Sequence, residues 1–342
     1  MPIGYRRTLV VALLAASLAA CASDDVTGAP DPAAAGTFTV DARTNWQYVS
    51  LADSAVVTPM PSATESGAWD IAFNGTAITL NGGEAGPGGI VAACICQNAA
   101  ATGAEVLAMT AASELGDFDA VTSVPSGLSW VSDALTPAIA GWYTGTGSAA
   151  VADTAKSWLV RGADSVSYAV VRVRALTGPT ATTAGKVTLE YAVQPNAASP
   201  LGAARTLEVD LTTPGAKYVD LVAGALTTTS DWDLRLDGFT IRVNGGISGA
   251  GKGAAAVGAT EFRLATTAVT QANAYHSDVY AGIFDTARYY RYNIAGDHRI
   301  SPSFDVYLLR RGTSTYKLQV IGYYGSTGTV RQISIRWQRL DV

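Results

Sequence analysis

The chain has 342 residues, of which 15% are charged and 48% hydrophobic, with a net charge of −5 and 35 glycines. So little charge, with no run of Lys or Arg, excludes nucleic acid as a partner, because phosphate binding needs clustered cations. The length suits two domains, each able to bury its own core.

Residues 1–20 read as a lipoprotein signal peptide. Arg6-Arg7 open it, Thr8 to Ser17 form a short apolar run, and Leu18-Ala19-Ala20-Cys21 matches the bacterial lipobox. The run is too short to span a bilayer, and small residues before the cysteine suit a signal peptidase. Cys21 is the expected lipidation site and new N-terminus, anchored by acyl chains at ~0.8 kcal/mol per buried methylene. Cleavage removes two arginines and no acid, taking the net charge from −5 to −7. Ala22 rather than Asp follows the cysteine, which by resemblance to the enterobacterial sorting rule directs the protein to the outer membrane, on its periplasmic face or the cell surface. Ala22 to Gly36, rich in Ala, Pro, Asp and Gly, is expected to be a flexible tether.

From Trp69 onward the chain repeats itself. Trp69-Asp70-Ile71-Ala72-Phe73 returns as Trp232-Asp233-Leu234-Arg235-Leu236, 163 positions later. The register holds through Asn74-Gly75 and Asp237-Gly238, through Asn81-Gly82-Gly83 and Asn244-Gly245-Gly246, to Gly86-x-Gly88 and Gly249-x-Gly251. A fixed internal period marks a duplicated unit. The break at Pro195 to Gly202 then predicts two tandem β modules, residues 37–194 and 205–342.

Within the modules, Phe239 to Val243 and Ile333 to Gln338 alternate apolar and polar residues at the period of a strand. Val306 to Leu309, a turn through Gly312, and Thr315 to Ile321 read as a hairpin, echoed by Ser157 to Val160 and Val166 to Val173 around Gly162 to Ser165. Ala104 to Glu114 is the one short helical stretch. The expected fold class is all-β with minor helix. Trp69 and Trp232 read as core aromatics, Asp70 and Asp233 as ties to a turn or a backbone amide, and the Asn-Gly-Gly triplets as positions of positive φ.

Three chemical signals are weaker. Cys94-Ile95-Cys96 places two thiols on one side of a strand, where they could be disulfide-bonded, metal-binding, or buried and reduced. Gly246 to Gly253 approaches a phosphate loop but lacks the final Ser/Thr; the repeat already accounts for its glycines. No Gly-x-Ser-x-Gly occurs, and only His276 and His298 are available to any histidine mechanism. The chain is therefore not expected to be an enzyme.

The Trp-Asp strand, the Asn-Gly-Gly loop and the closing strands Val306 to Arg310 and Tyr316 to Val320, with Tyr323-Tyr324 and Gly328, resemble the HmuY family of bacterial haem-binding lipoproteins. The resemblance is closer in the second copy. It implies an outer-membrane haemophore-like protein that binds haem for iron acquisition and passes it to an outer-membrane receptor. Founding members hold iron with two histidines, and some relatives use methionines. Both histidines of this chain lie in the second copy, so the resemblance makes His298 and His276 the expected ligands of haem iron. Tyr275, Tyr280, Phe284, Tyr289, Tyr290 and Tyr292 would line a slot, and Arg288, Arg291 and Arg299 would meet the propionates. Met109, in the first copy, reads as a core residue. The rival expectation is a ligand-free structural or protein-interaction lipoprotein on the same scaffold.

Overall fold

The computed structural model describes residues 35–258 and 262–340. Cys21 and nearly all of the tether lie outside them. The first segment runs through β1 (Ala35–Asp41), β2 (Gln47–Ser50), β3 (Ala55–Val57), β4 (Ile71–Asn74), β5 (Ala77–Leu80) and β6 (Val91–Cys94). Two short helices follow, α1 (Gly103–Ala108) and α2 (Leu115–Ala120). The middle segment holds β7 (Ala134–Thr136), β8 (Tyr143–Thr144), β9 (Val151–Ala152), β10 (Trp158–Arg161), β11 (Tyr168–Thr177), β12 (Lys186–Gln194) and β13 (Arg205–Asp210). It continues through β14 (Lys217–Asp220), β15 (Ala225–Thr227), β16 (Leu234–Asp237), β17 (Thr240–Val243) and β18 (Ala254–Val257). The last segment is β19 (Val279–Ala281), α3 (Ile283–Thr286), β20 (Tyr290–Tyr292), β21 (Ile300–Pro302), β22 (Val306–Arg311), β23 (Ser314–Tyr324) and β24 (Val330–Leu340). The fold is all-β with minor helix, and both expected hairpins form, as β10–β11 and β22–β23.

The strands build two similar sandwiches. In the first, the sheet β1-β24-β23-β22-β6 faces the sheet β3-β2-β4-β5; in the second, β13-β12-β11-β10-β18 faces β15-β14-β16-β17. One core joins Val49, Ile71, Phe73 and Leu80 to Tyr307, Leu318, Ile335 and Trp337. The other joins Val219, Leu234 and Val243 to Trp158, Val171, Leu189 and Tyr191.

These pairings correct the domain boundary expected at Pro195 to Gly202. That stretch is a hairpin connection: β12 and β13 pair across it, from Lys186 opposite Asp210 to Tyr191 opposite Arg205. Each sandwich takes its opening strands from one copy and its closing strands from the other. Thus β1 pairs β24, from Ala35 opposite Gln338 to Asp41 opposite Gln332, so Ala35 and Gly36 belong to a strand and not to the tether. After β6 and the α1–α2 segment the chain builds the second sandwich, and it returns to the first with α3 and β20–β24. The physical reason is that equivalent closing strands present equivalent apolar faces, so either copy's set can cover either opening half. This is the reciprocal exchange familiar from domain swapping, here within one chain.

The repeated residues hold corresponding joints. Asp70 is buried and accepts from the Leu51 amide at 2.7 Å and from Arg311 Nη1 at 2.8 Å; Asp233 accepts from the Leu221 amide and the Ala163 amide, both at 2.9 Å. In both cases one oxygen grips the same copy and the other grips the closing hairpin borrowed from its sister. Asn81 is not left-handed as expected. It is a fully buried hub, donating to the Ser66 and Trp69 carbonyls and accepting from the Gly88 amide. Asn244 repeats those bonds with Ser230, Trp232 and Gly251. Only the last glycine of each triplet is left-handed, Gly83 at φ 62° and Gly246 at φ 61°.

The two copies differ most in what covers the outer face of the five-stranded sheet. On the first sandwich the α1–α2 segment does so: buried Lys317 donates to the Phe118 carbonyl at 2.8 Å and lies 4.3 Å from the Phe118 ring centroid, and Arg336 donates to the Ala111 carbonyl. On the second, Phe262 and Ala268 pack on Val170 and Ala192 without a helix of that kind.

Candidate haem-ligand groove

The two histidines occupy different sandwiches. His276 is exposed beside β18, where its backbone exchanges two hydrogen bonds with Ala255 at 2.8 Å. His298 is exposed in the turn joining β20 to β21. The described contacts of the two share no residue. The aromatic residues between them are dispersed as well. Phe284 and Tyr289 are buried in the first core, Tyr275 donates to the Ala268 carbonyl on the second sandwich, and Tyr280 pairs with Leu135 of β7. Arg291 is spent on backbone, donating to the carbonyls of Ala99 and Ala101.

His298 nevertheless sits in a defined setting. Its backbone is left-handed, φ 57°, with its amide donating to Asn293 Oδ1 at 2.8 Å. Its Nδ1 lies 3.0 Å from the Tyr292 hydroxyl. In the Nδ1–H tautomer the ring donates to Tyr292 and leaves the Nε2 lone pair free, the arrangement by which an outer partner orients a metal-binding imidazole. The turn is pressed against the start of α1: a Cβ on Gly103 would come within 2.7 Å of Ile294. Helix α1 itself is fixed by a capping box, with Thr102 and Glu105 bonding each other's backbone amides.

Between α1 and the β21–β23 surface lies a groove of about 240 Å³. Val106, Leu107 and Met109 form one wall, and Arg299, Ile300, Pro302, Ile321, Tyr323 and Tyr324 the other. The helix expected over Ala104 to Glu114 stops at Met109, whose extended backbone (φ −65°, ψ 141°) ends α1. Met109 is half-buried in this groove and not a core residue, which corrects its expected role. Arg299 stacks over the Tyr324 ring at 4.6 Å, and the Tyr324 hydroxyl accepts from the Ile300 amide at 3.0 Å. One groove therefore gathers a thioether, an aromatic wall and a cation, directly beside the imidazole-bearing turn. The larger concavities of the second sandwich, about 430 and 560 Å³, offer neither sulfur nor imidazole, and the former is lined by Asp164, Asp220, Asp231 and Asp233. Four carboxylates repel a dianionic porphyrin. The donor chemistry fits haem at the groove and not in these cavities.

Cys94 and Cys96 form a disulfide. The strand ends at Cys94, and Cys96, at φ 56°, turns the chain back so that the Cα atoms lie 5.1 Å apart.

Comparison with known proteins bears on the scaffold. A family model described as HmuY protein matches residues 42–191. That span lies in the first copy, whereas the motif resemblance is closer in the second. Two solved structures align over most of the chain. A protein of Bacteroides fragilis NCTC 9343 described as a lipoprotein is 12% identical, with 89% of each chain covered and a TM-score of 0.33. A protein of Bacteroides vulgatus ATCC 8482 described as HmuY-like and haem-binding is 10% identical, with 90% of this chain and 93% of that one covered and a TM-score of 0.34. A search of curated proteins returns no match. Over residues 42–191, the chain is similar to the HmuY family.

Proposed function

We propose that this protein is a lipid-anchored haem-binding protein of the outer membrane, serving iron acquisition, and that its site is the α1 groove of the first sandwich. The observation carrying the reading is the meeting of Met109, from the first copy, with Arg299, Tyr323 and Tyr324, from the second, beside the His298 turn. Sequence order separates these groups by about half the chain, and the exchanged closing strands reunite them. His298 Nε2 and the Met109 thioether are the iron donors in this reading, and Arg299 faces the propionates. His298 and Met109 would hold haem there, and the group would supply an iron centre that an imidazole and a thioether can ligate. The groove is smaller than the about 300–1,000 Å³ of a pocket that encloses a whole ligand. A macrocycle would therefore be only partly enclosed and would stay accessible to a receptor. His276 has no part in this site. Anchoring rests on Cys21 and the lipobox, and among the described residues no helix is long and apolar enough to cross a membrane.

Titration of the full-length protein with haemin, read by the Soret band, tests the reading. A saturable red shift at one equivalent is expected, with His298→Ala weakening binding by about tenfold or more. An unchanged Soret band with the wild-type protein would reject the function; equal titration of His298→Ala would reject this site.

A further inference from the structure

We propose that Cys94, Cys96 and Asp305 form a redox-gated site for a soft divalent cation of the zinc(II) type. Both sulfurs and a carboxylate oxygen of Asp305 lie within 4.8 Å of one another. They lie at the adjoining ends of two neighbouring strands, β6 and β22, which are held together there: Cys94 stands opposite Tyr307, and the Ile95 amide donates to the Val306 carbonyl at 2.9 Å. Asp305 is 5% exposed and immediately precedes β22, so a carboxylate is held in the protein and aimed at the sulfurs.

An outer set of bonds orients this cluster. The Asn98 amide donates to Asp305 Oδ1 at 2.9 Å, while the Gln97 side chain accepts from the Val306 amide and donates to the Phe304 carbonyl. Such partners fix first-layer ligands in protein metal sites. The disulfide closes a loop of only three residues, so it restrains the unfolded chain little. Its opening leaves the β6–β22 ladder in place.

The gating step is exchange with a dithiol. A thiolate of the dithiol attacks one sulfur, a mixed disulfide forms, and the second thiol resolves it. Two electrons and two protons pass to Cys94 and Cys96, and the dithiol leaves as its own disulfide. The cation then displaces the two thiol protons to solvent and binds two thiolates and one carboxylate, at about 2.3 Å to sulfur and about 2.0–2.2 Å to oxygen. Three anionic donors around a divalent ion leave a net charge of −1 and a fourth position open to water. Thiolates select against calcium and magnesium, which take oxygen ligands.

The test uses full-length protein, either oxidised or reduced with a non-chelating phosphine, titrated with cadmium(II) under nitrogen. Reduced protein should bind one equivalent with a thiolate-to-cadmium charge-transfer band, and oxidised protein should show none. Asp305→Asn should weaken binding by about tenfold or more. In the wild-type chain, cadmium should also protect both thiols from alkylation, a readout independent of whether a variant folds. Equal responses of oxidised and reduced protein, unprotected thiols, or wild-type affinity in Asp305→Asn would each overturn the proposal.

Discussion

Asp70 and Asp233 show what a repeated residue does when its surroundings are only partly repeated. Both bind the amide that opens the following loop, but Asp70 adds a guanidinium where Asp233 adds a backbone amide. Asp70→Ala strands the Leu51 amide and unpairs Arg311, so a loss of about 3 kcal/mol is expected. The urea midpoint measures it, and Arg311→Ala alone should cost less because Arg311 is partly exposed. That the aspartates serve as ties was legible in the sequence, since a carboxylate just ahead of a strand can accept from the backbone amides of a neighbouring turn. The hub role of Asn81 and Asn244 was not, because an Asn before two glycines looks the same whether its backbone or its side chain matters. A further signal lay unread upstream. Tyr48-Val49-x-Leu51 recurs as Tyr218-Val219-x-Leu221, and the tyrosines pack on Trp69 and Trp232 at 5.1 and 5.3 Å.

At the level of elements, the hairpins β10–β11 and β22–β23 were readable because alternation and turn glycines are local. Their partners were not. Strand pairing between β1 and β24 joins residues nearly the whole chain apart, and a pattern shared by two copies cannot say which copy's strand it will meet. Residues 37–194 and 205–342 should therefore be unstable separately, each carrying two half-cores without their covers. Expressed together as two chains, they should assemble and melt cooperatively, because the cut removes only the β12–β13 connection. Size exclusion with circular dichroism checks this; a monomeric, cooperatively folded 205–342 would contradict the exchanged topology.

For the whole molecule, burial dominates the titration of several aspartates, among them Asp133, Asp233 and Asp278. Desolvation raises the carboxyls of Asp133, Asp233 and Asp278 above the ordinary 3.8, against hydrogen bonds from neighbouring amides that lower them. The folded chain thus keeps these protons at pH values where the unfolded chain has released them. The resulting stability is complete below about 3.8 and is lost as pH rises through the folded values. The urea midpoint should rise as pH is lowered from 7 towards 4.5, and Asp133→Asn should flatten that rise; a midpoint falling over the same interval would contradict it. The proposed site was half legible: residue type and family position point to His298, whereas Met109 reads as core because its wall of the groove is completed by residues roughly 200 positions away.

The central claim is that one groove, and not a pair of histidines, holds the haem. Its most direct test is iron X-ray absorption on the haem-loaded full-length protein, compared across Met109→Ala and His276→Ala. The account predicts an iron–sulfur contribution that disappears in Met109→Ala and persists in His276→Ala. Two nitrogen axial ligands, with loss of one in His276→Ala, would contradict it.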